Sequence, residues 1–273
     1  NLWGKLDRII SGCGSIFRYP NVPNIQHAYA QSLPFVDNFF DAIVTDPPYY
    51  DNIYYNVLAD FFYSWKRLVL NVIEPELFKS EVTDSTHELV ASRFRSGDPE
   101  KAHSDYCAQF TSALREAARV IKKNGIFALL YTHSSYKGWE ALVNAYRNSP
   151  FIITSVQPLS IERRQRPRAM TSEAINTCVV FVARKCDEKK KSISISSLIS
   201  ELEEIYNHLA PALSECGWNE KDIGLAIFAN GVGILANASN VKDCVNDHEA
   251  LLFIEKFVKE KFSSFYLKNR ESL

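Results

Sequence analysis

A nearly continuous apolar run, Phe39-Phe40-Asp41-Ala42-Ile43-Val44-Thr45, stops at Asp46-Pro47-Pro48-Tyr49. Such a run suits a strand buried on both faces of a parallel sheet. Two prolines cannot continue a ladder of hydrogen bonds, so the strand ends at the aspartate. Upstream, Ile25 to Ala30 reads as a short strand. The first 24 residues mix Gly, Pro and Asn with short apolar stretches and read mostly as loop. Downstream, Val57, Leu58, Phe61, Phe62, Trp65, Leu68 and Val69 recur at helical spacing, which predicts a helix from about Tyr55 to Asn71 with its aromatic cluster packed in a core. Residues 80–99 read as a long polar loop holding a short helix.

A second helix is predicted from Lys101 to Lys122, with Phe110, Leu114, Ala117, Ala118 and Ile121 on one face and Asn124-Gly125 as its stop. Strands follow at Ile126–Thr132, Phe151–Gln157 and Asn176–Ala183, with a helix at Trp139–Arg147 after the first. This alternation predicts an α/β fold: a Rossmann-like, mostly parallel sheet with helices on both faces. The closing strands leave no room for a crossover helix of normal length, so the last one is antiparallel. The charged junction Arg184 to Ser192 divides the chain into residues 1–186 and a mainly helical appendix, 187–273. In that appendix Ile195–Leu213 and Glu249–Lys268 read as helices.

The 273 residues carry 31 Lys+Arg and 32 Asp+Glu, a net charge of −1. Near neutrality argues against a strongly basic, DNA-wrapping module but leaves room for an enzyme that touches DNA through a local patch. The 6 cysteines are scattered without C-x-x-C spacing, so neither a zinc site nor a disulfide framework is indicated, and no metal is expected. No apolar run approaches the roughly 20 residues that cross a bilayer. With no signal-peptide layout either, the reading is a cytoplasmic protein with no membrane partner. The chain begins with Asn1 and its one methionine is Met170, which reads as a piece of a longer product.

Ligands of open α/β sheets sit beyond the carboxyl ends of the strands. Asp46, the Pro47 carbonyl and the Tyr49 ring, placed there in sequence, form a receptor for an exocyclic amine on a planar base. Asp46 accepts one amine hydrogen and the Pro47 carbonyl a second. Pro47 and Pro48 hold that backbone extended. The Tyr49 ring stacks on the base, a contact worth about 1–3 kcal/mol. Drawing both N–H groups into hydrogen bonds moves the nitrogen toward a tetrahedral, more nucleophilic geometry, so the catalysis is positioning. The plainer alternative is a Pro-Pro turn with Asp46 as a local cap.

Phe40 to Tyr49 resembles the amine-acceptor motif of the S-adenosylmethionine-dependent DNA amino-methyltransferases. The extension Tyr50-Asp51-Asn52-Ile53-Tyr54-Tyr55, then Leu58-Ala59-Asp60-Phe61-Phe62-Tyr63-Ser64-Trp65, narrows the likeness. It points to large bacterial and archaeal adenine-specific DNA methylases that carry an extra N-terminal domain. Pro75-Glu76-Leu77-Phe78, Arg119 to Gly125, His133, Trp139 to Leu142, Glu162-Arg163 and Ala226-Ile227-Phe228 extend it over most of the chain. The resemblance implies methyl transfer to adenine N6 of a flipped DNA base, with Asp46, Pro47, Pro48 and Tyr49 catalytic. D-P-P-Y favours adenine over cytosine N4; RNA or a protein glutamine remain other acceptors.

By the same likeness, the turn Tyr29-Ala30-Gln31 and Asp46 contact the cofactor, although Tyr29 stands where many relatives carry an acidic residue. Tyr50, Asp51, Asn52 and Tyr54 line the base pocket, or Asp51 or Asn52 caps the following helix. His133 lines the same crevice or serves as a structural histidine. Arg163, Arg164 and Arg166, in a stretch with four arginines, hold DNA phosphates or simply face solvent.

The chain departs from the family at the glycine-rich cofactor loop. Only 45 residues precede Asp46, and each strand–helix–strand unit takes about 30 or more. Gly12-Cys13-Gly14 lies too close, and Gly231-Val232-Gly233 reads as an ordinary turn or, in a permuted order, as the loop. The expected source of that loop is therefore an upstream part of the same protein or a partner subunit, leaving the sheet incomplete at its N-terminal half. The competing reading is a methyltransferase-like nucleic-acid-binding or regulatory module without activity.

Overall fold

A computed structural model describes residues 2–16, 24–160, 177–263 and 265. The apolar run forms strand β1 (Phe40–Thr45) and the two prolines end it. In chain order α1 (Leu2–Ile16) precedes it, and α2 (Tyr55–Leu70), a 3-10 turn at Pro75–Phe78, α3 (Arg93–Ser96) and α4 (Pro99–Val120) follow. Then come β2 (Ile121–Tyr131), α5 (Tyr136–Arg147), β3 (Phe151–Ser160), β4 (Thr177–Lys185), α6 (Ile195–Glu215), α7 (Glu220–Asn237) and α8 (Asp247–Lys261).

The sheet has 4 strands in the order β1-β2-β4-β3. β1 pairs parallel with β2, while β4 runs antiparallel to both β2 and β3. The closing strand is reversed as expected. Because it inserts between β2 and β3, most pairings become antiparallel and the sheet is mixed and open rather than mostly parallel.

Asp98 caps α4 by accepting the Lys101 N–H at 2.9 Å, with Pro99 in the first turn. The helix stops at Val120, earlier than Asn124-Gly125 suggested, because the Phe39 N–H donates to the Val120 carbonyl at 2.7 Å and β2 begins at once. Residues 122–125 are absorbed in a register shift: Phe40 faces Ile121, and Ala42 faces Ile126. A Cβ on Gly125 would sit 3.0 Å from the Asp41 carbonyl oxygen, so a side chain does not fit the shift.

One sheet face is closed. Phe127, Leu129, Tyr131, Phe151, Ile153, Val156, Val179, Phe181 and Ala183 are buried there beneath α4, α5 and α7. Trp139 of α5 lies at the centre, edge-on to Tyr131 and Phe228. α7 is apolar all round, buried between the sheet and α6 and α8. Gly231 and Gly233 are inside α7, not in a turn or a cofactor loop. A Cβ at Gly231 would come 2.6 Å from Ile254 of α8, and one at Gly233 3.0 Å from Val156 of β3. These glycines serve close packing. Arg147 ties three helices together, donating to Asp247 at 2.6 and 2.8 Å and to the Ala238 and Leu235 carbonyls.

The other face is not closed. Ile126, Ala128, Leu130, Val180 and Val182 are partly exposed, and Val44 of the edge strand is 73% exposed. Among the described residues, the helices that touch the sheet lie on one face, where two covered faces were expected. α2 turns its polar side toward residues 78–83. Asp60 accepts from the Thr83 N–H at 2.7 Å, Tyr63 donates to the Ser80 carbonyl at 2.8 Å, and Arg67 donates to the Phe78 carbonyl at 3.2 Å. Its apolar side points to solvent, with Phe61 and Trp65 each 64% exposed and Val57, Leu58, Phe62, Leu68 and Val69 exposed beside them. The aromatic cluster read as core packing is therefore surface.

The first residues are also different from their reading. Leu2, Trp3, Leu6, Ile9 and Ile10 recur at helical spacing and form α1, and Gly12-Cys13-Gly14 lies inside it rather than after a strand. Residues 25–28 are irregular, and an isolated bridge joins Tyr29 to Ser32 where a strand was expected.

The two tryptophans separate core from surface experimentally. Trp65→Ala should cost no more than about 0.5 kcal/mol in urea unfolding, whereas Trp139→Ala should cost about 3–5 kcal/mol. Equal costs would contradict the outward orientation of α2.

Candidate functional site

β1 delivers Asp46 to its C-terminal end with the carboxyl group exposed and Tyr49 half-buried. The Tyr49 hydroxyl donates to Asp46 Oδ1 and lies 3.6 Å from the Cys178 Sγ. Its ring meets Tyr131 edge-on, with centroids 5.4 Å apart. Burial, and then the bond to Asp46, push the Tyr49 phenol well above its ordinary range, so it stays a donor. Burial raises Cys178 too and keeps it a neutral thiol. Asp46 and Tyr49 thus occupy one another, and an incoming amine would take the place of the Tyr49 hydroxyl on the Asp46 carboxyl.

The next residues turn sharply. Tyr50 is buried and adopts φ +52°, a left-handed conformation rare for a large side chain. Its hydroxyl lies 2.9 Å from His103 Nδ1, and its ring packs edge-on against Tyr106 and His133. The Asn52 N–H donates back to the Tyr49 carbonyl at 3.0 Å, closing the turn. Neither Asp51 nor Asn52 caps α2; the cap position is Tyr54, which supplies no side-chain bond. Tyr54 packs edge-on against Phe94, and burial followed by the Asp51 charge raises its phenol.

Asp51 reaches the far side of the crevice, its Oδ1 3.1 Å from His133 Nε2. The Ser135 N–H donates to His133 Nδ1 at 3.1 Å, so Nδ1 is the acceptor and Nε2 carries the proton given to Asp51. α5 seats the ring: Trp139 Nε1 donates to the His133 carbonyl at 3.0 Å, and a Cβ on Gly138 would lie 2.4 Å from the imidazole. His133 is thus buried and hydrogen-bonded, with Nε2 toward Asp51.

The structure brings together Asp46, Pro47, Pro48, Tyr49, Tyr50, Asp51 and His133, with Tyr54 at the margin and Asn52 toward solvent. The turn Tyr29-Ala30-Gln31 is linked less directly. Tyr29 donates to Asp84 at 3.0 Å and its ring lies 4.2 Å from His87; the same segment closes on the site where the Ala91 N–H donates to the Tyr50 carbonyl at 2.9 Å. Arg163, Arg164 and Arg166 lie outside the described residues. No cluster of three or more metal-binding side chains occurs among the described residues.

Three members of the site went unnoticed in sequence: His103, Tyr106 and Cys107 of α4. Their spacing with Phe110 is the signal, since positions 103, 106, 107 and 110 share one helix face. Burial raises the Cys107 thiol to about 11, so it is no nucleophile at neutral pH, although it lies 3.6 Å from His103 Nε2.

Burial lowers the His103 imidazole below its ordinary value, with Lys137 acting the same way and Glu140 and Glu100 opposing. Its charged form is disfavoured in the folded protein, so the unfolded chain binds the extra proton first as pH falls below about 6.5. Stability attached to His103 is present above that pH and lost below it. Unfolding midpoints measured between pH 8 and pH 5.5 should fall more steeply for the wild type than for His103→Gln; parallel profiles would contradict the assignment.

The sequence matches no protein-family model, and no curated protein matches it.

Proposed function

We propose that the Asp46–Tyr49 turn receives the exocyclic amine of a flipped DNA base, most favourably adenine N6, for methylation from S-adenosylmethionine. One observation carries the reading: Asp46, the Pro47 carbonyl and Tyr49 follow one another at the carboxyl end of a strand in a parallel pair. That is where open sheets hold ligands. The cofactor, when bound, presents an electrophilic methyl group. The chain's own residues hold the amine: Asp46 and the Pro47 carbonyl accept its two hydrogens, and the Tyr49 ring covers the base. Extrusion of the base from the stack, costing a few kcal/mol, precedes this contact.

The described residues do not fit the whole cofactor. Both Gly-x-Gly stretches lie inside helices, α1 and α7, rather than in a loop after a strand. We therefore assign the loop that grips the methionine end to another unit, an upstream part of the same protein or a partner subunit. Among the described residues the second edge of β1 and one apolar sheet face lack a partner, which supports this, because parallel strands are normally paired and covered on both faces. The outward apolar side of α2 supports it as well.

The same absence favours a second reading, a nucleic-acid-binding or regulatory module without activity. Protein from the whole reading frame, incubated with S-adenosylmethionine and unmethylated DNA, separates the two by mass spectrometry of digested nucleosides. N6-methyladenine should appear and fall at least about 100-fold in Asp46→Ala, in line with a lost transition-state contact. N4-methylcytosine would keep the mechanism and change the base. DNA binding with no methylated nucleoside would favour the inactive module.

A further inference from the structure

Tyr49 carries the ring that would cover the base, and within the turn its hydroxyl is tied to Asp46. The backbone on either side of it is held by a single side chain. The Tyr106 hydroxyl donates to the Pro48 carbonyl at 3.1 Å and accepts the Tyr50 N–H at 3.3 Å. One phenol thus bridges the peptide groups before and after Tyr49. Tyr106 has no exposed surface and packs against Tyr50 and Phe110, so the hydroxyl works away from water, where leaving its partners unpaired is costly.

The bridge has something to hold. The left-handed Tyr50 stores about 1–2 kcal/mol of backbone strain and persists only where its surroundings over-determine it. Those surroundings are the Tyr106 hydroxyl on the Tyr50 N–H, the Ala91 N–H on the Tyr50 carbonyl, and His103 on the Tyr50 hydroxyl. The Tyr49 ring between these two anchored peptide groups lies edge-on to Tyr131, with its hydroxyl on Asp46 and near Cys178.

We infer that Tyr106 is a positioning residue: its buried hydroxyl pins both flanks of Tyr49 and so sets the direction of the ring that stacks on the base. This rests on the reading of the turn as a base receptor. Tyr106→Phe keeps the buried ring and removes the bridge together with the contact to the Tyr131 hydroxyl, while Tyr50→Phe removes the His103 contact and keeps the bridge.

Amide hydrogen exchange tests the bridge without any activity. The Tyr50 amide should be protected in the wild type, exchange about tenfold faster in Tyr106→Phe, and stay near wild type in Tyr50→Phe. An unprotected wild-type amide overturns the inference even if Tyr106→Phe fails to fold, and so does unchanged exchange in a folded Tyr106→Phe. Stacking is read separately from quenching of 2-aminopurine in single-stranded DNA. Quenching by the wild type that is lost in Tyr106→Phe, with DNA affinity kept, is the expected result. Quenching retained in that variant overturns the positioning role. Protection in the wild type with no quenching at all overturns the base-receptor reading instead.

Discussion

β1 pairs in parallel with β2 along one edge, and Asp46-Pro47-Pro48 cuts it off at its carboxyl end. Both the position and the openness of the site follow from that arrangement. The prolines end the ladder, so the carbonyl and carboxyl groups of the turn are free to face a ligand rather than another strand. Among the described residues no strand pairs with the other edge of β1, and Val44 is exposed to solvent. The crevice beyond a parallel pair is thus formed on one side and open on the other.

The formed side is held by buried polar side chains rather than by apolar packing alone. Tyr106, His103 and His133 each place a polar atom against the segment Pro48 to Asp51. All three stand on elements anchored in the core: α4 and the end of β2, with α5 seating His133 through Trp139 and Gly138. Burial keeps Tyr49 and Cys178 protonated and holds His103 toward its neutral form. The turn is therefore set by hydrogen-bond geometry, with the Asp46 and Asp51 carboxyl groups exposed at its two ends. That suits a receptor that must orient a neutral amine.

Much of this was legible in the chain. The strand ending at Asp46, the helix after it, the next strands and the reversed closing strand follow from apolar runs and their stops. Period and punctuation are strong local signals there. The direction each helix faces was not legible, because periodicity gives an apolar stripe without saying what covers it. In α2 the hydrogen bonds of Asp60, Tyr63 and Arg67 decide the orientation and leave Phe61 and Trp65 outside. Glycine misled at Gly231 in α7, read as a turn, where close helix packing excludes a side chain. In the site, the D-P-P-Y turn announces itself, while its support from Tyr106 and His103 depends on contacts across more than 50 residues of sequence.

The most direct measurement is photocrosslinking of this protein to single-stranded DNA carrying 8-azidoadenine, followed by peptide mapping. A receptor built on the Asp46–Tyr49 turn predicts adducts on Tyr49 or its immediate neighbours, competed away by unmodified adenine-containing DNA. Adducts elsewhere, with the Asp46–Tyr50 segment unmodified, would contradict it.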